Sequence, residues 1–453
     1  MRVRSTDLNY LNKQYGQEGS QLLILYGQQE TGMSRTVADF IQEKPQLYFY
    51  ASPASIEVQR KMLAEQLENK YQIHLSDNRF ETVFSRMHAR PGEKLVVVIE
   101  EFQHLAKKEE EFLQSIKKLM EKKLYPAPVF VLLVCSDVVW IKEEFLEKQS
   151  LIRRQITDFY YFEELGFVDV AQEFEELPVE ELIRLYGVFG GSYKYLRQID
   201  RNTSVRENII RLVVSDTGMF YEEAQRFLKN ELREVAVYNT ILSAIANGNE
   251  KLNDLYHATG YLRAKISVYM KNLSAFGVVR KVHSVETGGW ENAKKGVYRI
   301  ENTFLDFWFR FLYPHLTELH QLPAEEFYDK FVEPGFDLYM ERYFTKVCAE
   351  YLQLMSKIGQ LPIKTKLIGT WVGKKGTIDI VAQNEARERI VAKCCWQKQE
   401  MSAEDLKDLT EATKEAKIKA EYYYLFTAGK FQNDLKRLSE NQQKLKLVDL
   451  TCF

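Results

Sequence analysis

The sequence predicts an α/β protein: a parallel sheet with crossover helices, a wholly helical stretch, a helix-rich unit ending in a strand pair, and a second α/β unit. Three observations carry this reading. Short apolar runs alternate with helical stretches through residue 165, the signature of parallel strands joined by crossovers. From 166 to 230 the strand-like runs stop and the period turns helical, with "GVFGGSYKYLRQID" as glycine punctuation. Beyond residue 231 come three helical segments with two strands, and after 316 a mixture of strands and helices. At 453 residues the chain is too long for one core, and three or four domains are expected.

In the first unit, "QLLILY" (21–26) is an unbroken apolar run and predicts a strand buried on both faces. A helix opens at Ser34, after "GQQETGMS". "QLYFYA" (46–51) predicts a second strand, with "SIEVQRKMLAEQLENK" as the helix behind it. "KLVVVIEEF" (94–102), "PVFVLLVCS" (128–136) and "ITDFYYF" (156–162) predict the third, fourth and fifth. β-Branched and aromatic residues dominate these runs, and they suit a packed pleated surface.

Farther on, "VYNTILSAIANGN" is an amphipathic helix with Tyr238, Ile241, Leu242 and Ile245 on one face. "KLNDLYHATG" is a short helix ending at Gly260, and "LRAKISVYMKNLSAFG" sets Leu262, Ile266, Tyr269 and Leu273 at helical spacing. "VVRKVHSVETGGWENAKKGVYRI" (278–300) predicts two strands around a Gly-Gly tip. Helix, helix, helix, hairpin is the plan of a winged helix, a helix-turn-helix variant. The aromatic-rich "FLDFWFRFLYPHL" (304–316) predicts core. The last unit contains the helix "YMERYFTKVCAEYLQL", a hairpin over 376–396, the strand "EYYYLFTA" and a final helix.

Composition excludes several classes. The net charge of −2 supplies no global pull toward nucleic acid or membrane, so any basic surface is local. The longest apolar run, "APVFVLLVC", falls far short of the ~18 residues that span a bilayer. "MRVRSTDLNYLNKQYG" has no apolar stretch behind its arginines and does not read as a signal peptide. Five scattered cysteines form neither a disulfide framework nor spaced zinc pairs, and Cys394–Cys395 reads as packing. A cytoplasmic, reduced protein is expected.

The loop "GQQETGMS" follows the skeleton of a phosphate-cradling P-loop, G-x-x-x-x-G-K-[ST], with Met33 in the lysine position. Gly27 and Gly32 permit the backbone path, and the backbone around Thr31 and Met33 would face phosphate oxygens. Ser34 is placed to ligate Mg²⁺, with Glu100 as a further magnesium carboxylate and Glu101 as a water-orienting acid. Met33 removes the cation that neutralises the β/γ charge. Arg35 lies ~200° around the helix from that position. Arg153 and Arg154, in "SLIRRQI", are arginine-finger candidates for an ATP held nearby, or plain surface arginines.

With these parts in order, the chain resembles the archaeal-type AAA ATPases of prokaryotes that carry a winged helix and a C-terminal restriction-nuclease-like domain. The resemblance rests on "LYGQQETGMS", "VVVIEEF", "GVFGGSYKYL", "GVYRIENTFLDFWFRF" and "IDIVA…AKCCW". It implies a P-loop NTPase sheet (1–165), a helical lid (166–230), the winged helix (231–315) and a nuclease-like α/β domain (316–453). The family's G-K-[ST], I-D-E-F and I-D-[IV]…E-C-K-W become G-M-S, I-E-E-F and I-D-I…K-C-C-W here.

In a PD-(D/E)xK hairpin an aspartate and a glutamate bind Mg²⁺ while a lysine orients water. Asp379 keeps the first role, Lys393 stands where the glutamate belongs, and Cys395 replaces the lysine. The resemblance also asks for an acid on the preceding helix, and by that resemblance Thr345 stands there. No nuclease activity is expected, and Lys393 is expected to pair with Asp379. In the winged helix, Arg263, Lys265 and Lys271 lie off the apolar face, while Arg280, Lys281, Lys294 and Lys295 decorate the wing. Such cations suit phosphates of double-stranded DNA, or they are solvated on a protein-binding module.

Two functions follow as expectations. One is a degenerate family member that binds ATP and Mg²⁺ weakly or not at all and acts as a binding or regulatory protein. The other is a working ATPase in which another cation replaces the lysine.

Overall fold

The computed structural model describes residues 4–453 apart from 30, 88–91, 108, 149, 233, 286–295, 374–375 and 398. It divides into two compact units, Met1–Glu164 with Ser192–Arg197, and Leu165–Gly191 with Gln198–Phe453.

The first unit is built on β1 (Gln21–Tyr26), β2 (Gln46–Tyr50), β3 (Leu95–Glu100), β4 (Val129–Cys135) and β5 (Asp158–Tyr161). All five run parallel, in the order β2-β3-β4-β1-β5. The central strands β1, β3 and β4 are buried along their whole length, while the edges β2 and β5 keep exposed positions. Side chains alternate between faces, so each strand feeds two cores. Leu22, Ile24, Val97, Ile99 and Val131 enter one. Leu23, Leu25, Val96, Val98 and Leu132 enter the other, packing on Leu11 from the helix Ser5–Tyr15 and on Val37 and Phe40 from the helix Met33–Ile41. The predicted strands are all present, each within a residue or two of its expected bounds.

In the second unit, the helices Val235–Ala246, Leu252–Thr259 and Arg263–Ala275 lead into the antiparallel pair β6 (Val279–Val282) and β7 (Val297–Ile300). Tyr238, Ile241, Leu242 and Ile245 are buried as expected. Leu262 is not part of the apolar face: it precedes the first turn at 72% exposure, and Met270 joins Ile266, Tyr269 and Leu273 inside instead. The strand-pair tip falls outside the described residues.

"FLDFWFRFL" is core, as its composition predicts: Phe304, Phe307, Trp308, Phe309 and Phe311 are all buried. Phe307 and Phe311 pack edge-to-face against Tyr339 from the helix Glu333–Lys357. Beyond this helix, β8 (Leu367–Val372), β9 (Thr377–Gln383) and β10 (Arg389–Cys395) pair antiparallel. The short parallel pair β11 (Glu400–Met401) and β13 (Lys430–Phe431) brackets the helix Ala403–Glu415 and β12 (Tyr422–Thr427). With β14 (Leu445–Asp449), β12 extends the sheet in parallel, giving the order β14-β12-β10-β9-β8. Among the described residues, no helix is long and apolar enough to cross a membrane.

Candidate functional site

The loop 27–32 leaves β1 at the C-terminal end of the sheet, where ligands of parallel α/β sheets bind. Gly27 donates its N–H to Cys135 O (3.2 Å). A Cβ there would sit 2.4 Å from Phe162 O, so only glycine fits. Gly32 caps the helix Met33–Ile41 at φ +94°, in the left-handed region that favours glycine. No side chain caps this helix and its first turn holds no acid. The first N–H groups of a helix lack intrahelical acceptors, and the macrodipole favours an anion beside them. The backbone therefore offers what a phosphate needs.

Thr31 does not present its hydroxyl outward: Oγ1 donates to Gln28 O (3.1 Å), folding the loop on itself. Arg4, which the sequence reading overlooked, donates to Thr31 O (3.2 Å) and to Glu163 O (2.5 Å) and stacks on Phe162. This arginine staples the loop from behind.

Ser34 Oγ donates to Glu100 Oε1, and Tyr48 OH donates to Glu100 Oε2. Glu100 is 1% exposed, and burial with this bond pushes the Tyr48 phenol well above its ordinary value. Next to it, Glu101 adopts φ +54°, strained for a residue with a Cβ. Its carboxylate accepts from Ser136 Oγ (2.6 Å) and from Gln103 Nε2. Ser136 follows β4 in "VLLVCSD", and a polar residue directly after a buried run was the signal available for it.

The cations tell the other half. Met33 is 5% exposed and lies in the core with Leu25, Val37 and Phe40. Arg35 is turned to solvent and pairs with Asp39 (3.1 Å), facing away as its helical position predicts. Arg153 and Arg154 lie before the start of β5, whereas the loop follows the end of β1. Parallel pairing separates those ends by roughly five residues at ~3.3 Å each, about 17 Å. Within one chain, that distance holds them away from a phosphate on the loop 27–32.

The hairpin in the second unit also departs from expectation. Lys393 Nζ pairs with Asp405 (2.9 Å) and Asp408 (3.0 Å) on the helix Ala403–Glu415, not with Asp379. Two carboxylates one turn apart outcompete one, and Asp379 Oδ2 already accepts the Cys394 N–H (2.9 Å). Burial raises the Asp379 pKa, partly offset by that bond, and pushes the Cys395 thiol up to about 12. The helix acid at the end of β10 is not at Thr345, which bonds back to Glu341 O (3.0 Å). Glu341 itself, one turn earlier, accepts from the N–H groups of Trp396 (3.0 Å) and Gln397 (2.9 Å). Among the described residues no cluster of three His, Cys, Asp or Glu stands ready for a metal.

On the helix Arg263–Ala275, Arg263, Lys265 and Lys271 are exposed. Arg263 bonds to Asn253 and covers the Tyr256 ring (4.2 Å), while Lys265 covers Tyr261 (4.8 Å). Lys281 reaches toward Tyr298 (5.9 Å), and Arg280 pairs with Glu301 (3.1 Å). Lys294 and Lys295 lie outside the described residues.

A five-stranded parallel sheet with a glycine-bounded turn into an uncapped helix, and acids at the end of β3, defines an α/β fold of the P-loop ATPase kind. Residues 308–409 match the DUF234 family model, described as "Archaea bacterial proteins of unknown function". The chain is 22% identical over 384 residues, 84% of each chain, to the "Uncharacterized protein MJECL04" of Methanocaldococcus jannaschii. It is similar to the solved Walker-type ATPase PABY2304 of Pyrococcus abyssi at TM-score 0.47 and 14% identity, covering 68% of this chain and 96% of that one. The Aeropyrum pernix ORC2 protein, solved as ADPNP–ADP complexes, gives TM-score 0.47 and 12% identity, covering 72% of this chain and 95% of that one.

Proposed function

We propose that this protein is a degenerate P-loop ATPase relative that holds ATP and Mg²⁺ weakly or not at all and works as a binding or regulatory protein in the cytoplasm. One observation carries the reading: a core methionine fills the lysine position of the loop, and the arginines Arg35 and Arg4 are committed elsewhere. Met33 fills the core, Arg35 pairs with Asp39, and Arg4 is bonded to the carbonyls of Thr31 and Glu163. The remaining groups fit a nucleotide. The loop N–H groups would hold phosphate oxygens, and Ser34 with Glu100 would hold Mg²⁺, which supplies charge neutralisation. Without the loop lysine, more of the β/γ charge would be left to the metal. Three helices and a hairpin, with Arg263, Lys265 and Lys271 exposed, support a winged helix that meets double-stranded DNA through its phosphates. The alternative for that module is a protein partner. The nuclease-like hairpin, its acids tied to backbone N–H groups and Lys393 bound to Asp405, supports a domain without cleavage activity.

A second reading, an ATPase with a substitute cation, is favoured by the Glu101–Ser136 pair (2.6 Å), which holds an acid where water would be oriented. Titration with ATP and Mg²⁺, followed by melting temperature and phosphate release, separates the two. A ligand that binds the native state raises its stability by mass action. Little stabilisation and no turnover supports the first; strong stabilisation with turnover that Glu101→Gln removes overturns it.

A further inference from the structure

At the opposite end of the first sheet lies a cavity of about 380 Å³ lined by Lys117, Ser150, Leu151, Arg153, Arg154 and Gln155. Its floor is a turn. Arg153 N–H donates to Ser150 O (3.1 Å) and Gln155 N–H to Ile152 O (2.9 Å), while Ile152 is fully buried and anchors the segment. Anchoring Ile152 turns Leu151, Arg153 and Arg154 outward, and Lys117 approaches from the helix Glu110–Met120.

Three positive charges thus line one cavity with no carboxylate among the lining residues. Of the acids in the flanking segments, Glu121 pairs with Lys123 (2.5 Å), and Asp158 accepts from Tyr10 OH (2.6 Å). Among the described residues, none of the three cations has an ion-pair partner. Two lining residues also carry a buried polar atom without a hydrogen-bond partner there, Ser150 Oγ and Gln155 Oε1. An unpaired buried polar atom is costly, and a serine hydroxyl readily donates to an anionic oxygen. The assignment of amide O and N is interchangeable, so Gln155 can turn its NH₂ inward as a second donor. Arg153 is held in place over the Phe159 ring (4.9 Å).

We propose that this cavity is a second anion site, separate from the loop 27–32, that takes the phosphate groups of a polyphosphate. Unpaired guanidinium groups bind phosphate oxygens by charge-assisted, often bidentate hydrogen bonds. The volume exceeds what one orthophosphate fills, and three cations offset most of the charge of two or three linked phosphates.

The test is calorimetric titration of the full chain with sodium tripolyphosphate at low ionic strength. Arg153→Gln with Arg154→Gln weakens binding at least about tenfold, since each lost charge-assisted bond is worth that much. Lys117→Gln weakens it less. Gln29→Glu, which places a repelling charge on the exposed loop at the other end of the sheet, leaves binding within about twofold. All these positions are on the surface, and melting curves verify that each variant is folded. Titration with ADP identifies the source: affinity equal to that for pyrophosphate assigns free polyphosphate, and tighter binding assigns a nucleotide. The proposal is overturned if the wild-type chain does not bind tripolyphosphate, if the double variant binds it as well as wild type, or if Gln29→Glu abolishes binding. It is equally overturned if a 20-base-pair duplex, but not tripolyphosphate, needs Arg153 and Arg154.

Discussion

Ser34 and Glu100, 66 residues apart, meet at the end of the sheet, where the serine hydroxyl donates to a carboxylate that Tyr48 holds from the other side. Parallel pairing produces this meeting: β3 sits next to β4, β4 next to β1, and the helix after β1 starts where β3 ends. Tyr48→Phe takes one donor from a buried carboxylate and is expected to cost about 1.5–3 kcal/mol, the range for hydrogen bonds to charged groups. Urea denaturation monitored by circular dichroism measures it. An unchanged midpoint would mean that water or Ser34 alone satisfies Glu100.

Met33 offers a two-sided test. Met33→Ala empties a core position and should lower stability by about 2–5 kcal/mol. Met33→Lys should lower the melting temperature of the ligand-free protein, because its stem must lie in the core while the ammonium reaches for the loop. The same variant should raise ATP affinity at least about tenfold, as a charge-assisted bond is restored. Loss of stability with no gain in ATP affinity would show that the lysine is not the missing part.

The two loop glycines fail for different reasons. Gly27→Ala drives a Cβ into Phe162 O, a backbone atom that cannot step aside, and should destabilise severely, by about 3 kcal/mol or more. Gly32→Ala meets a left-handed φ and costs about 1–2 kcal/mol. Thermal melts of the pair rank them, and the reverse ranking contradicts this account.

Lys393 gives a pH signature. Burial pulls its pKa down, but the bonds to Asp405 and Asp408 outweigh it, so the folded-state value is raised. A lysine raised in the folded state adds stability that is complete below its unfolded value and fades as pH rises through the folded one. Lys393→Ala should therefore cost about 1–3 kcal/mol between pH 6 and 9, with the difference from wild type shrinking only above roughly pH 10.5. Asp408→Asn, at a mostly exposed carboxylate, should cost under about 1 kcal/mol. A cost for Lys393→Ala that does not change with pH would mean lost packing, not the ion pair.

Thiol labelling checks the hairpin and the sheet together. Of the five cysteines, Cys135, Cys348, Cys394 and Cys395 are buried and Cys452 is exposed. A thiol-specific disulfide reagent should react quickly with one thiol in the native protein and with five in denaturant. Fast labelling of Cys395 in the native state would contradict a thiol that burial holds at about 12.

The sequence by itself determined the strands, the helical punctuation and the loop's backbone. Those features depend on runs of neighbouring residues: "LVVVIE" and "VFVLLVC" have the length and β-branched content of strands buried on both faces, and Gly27 and Gly32 mark where a side chain is forbidden. The position of Arg35 was likewise readable from helical geometry alone. Partnership over long sequence separations was not. Arg4 finds the carbonyls of Thr31 and Glu163, Ser136 finds Glu101, and Lys393 finds Asp405 on a neighbouring helix, none of them at a spacing that a period reveals. Leu262 had the right period but stands before the first turn, where its side chain faces solvent. Glu341 took the place assigned to Thr345 because one helical turn shifts a side chain by about 5.4 Å, which decides which acid reaches the end of β10. Local pattern fixes elements because backbone conformation is local. Charges choose partners by distance in space, and only the folded chain sets that distance.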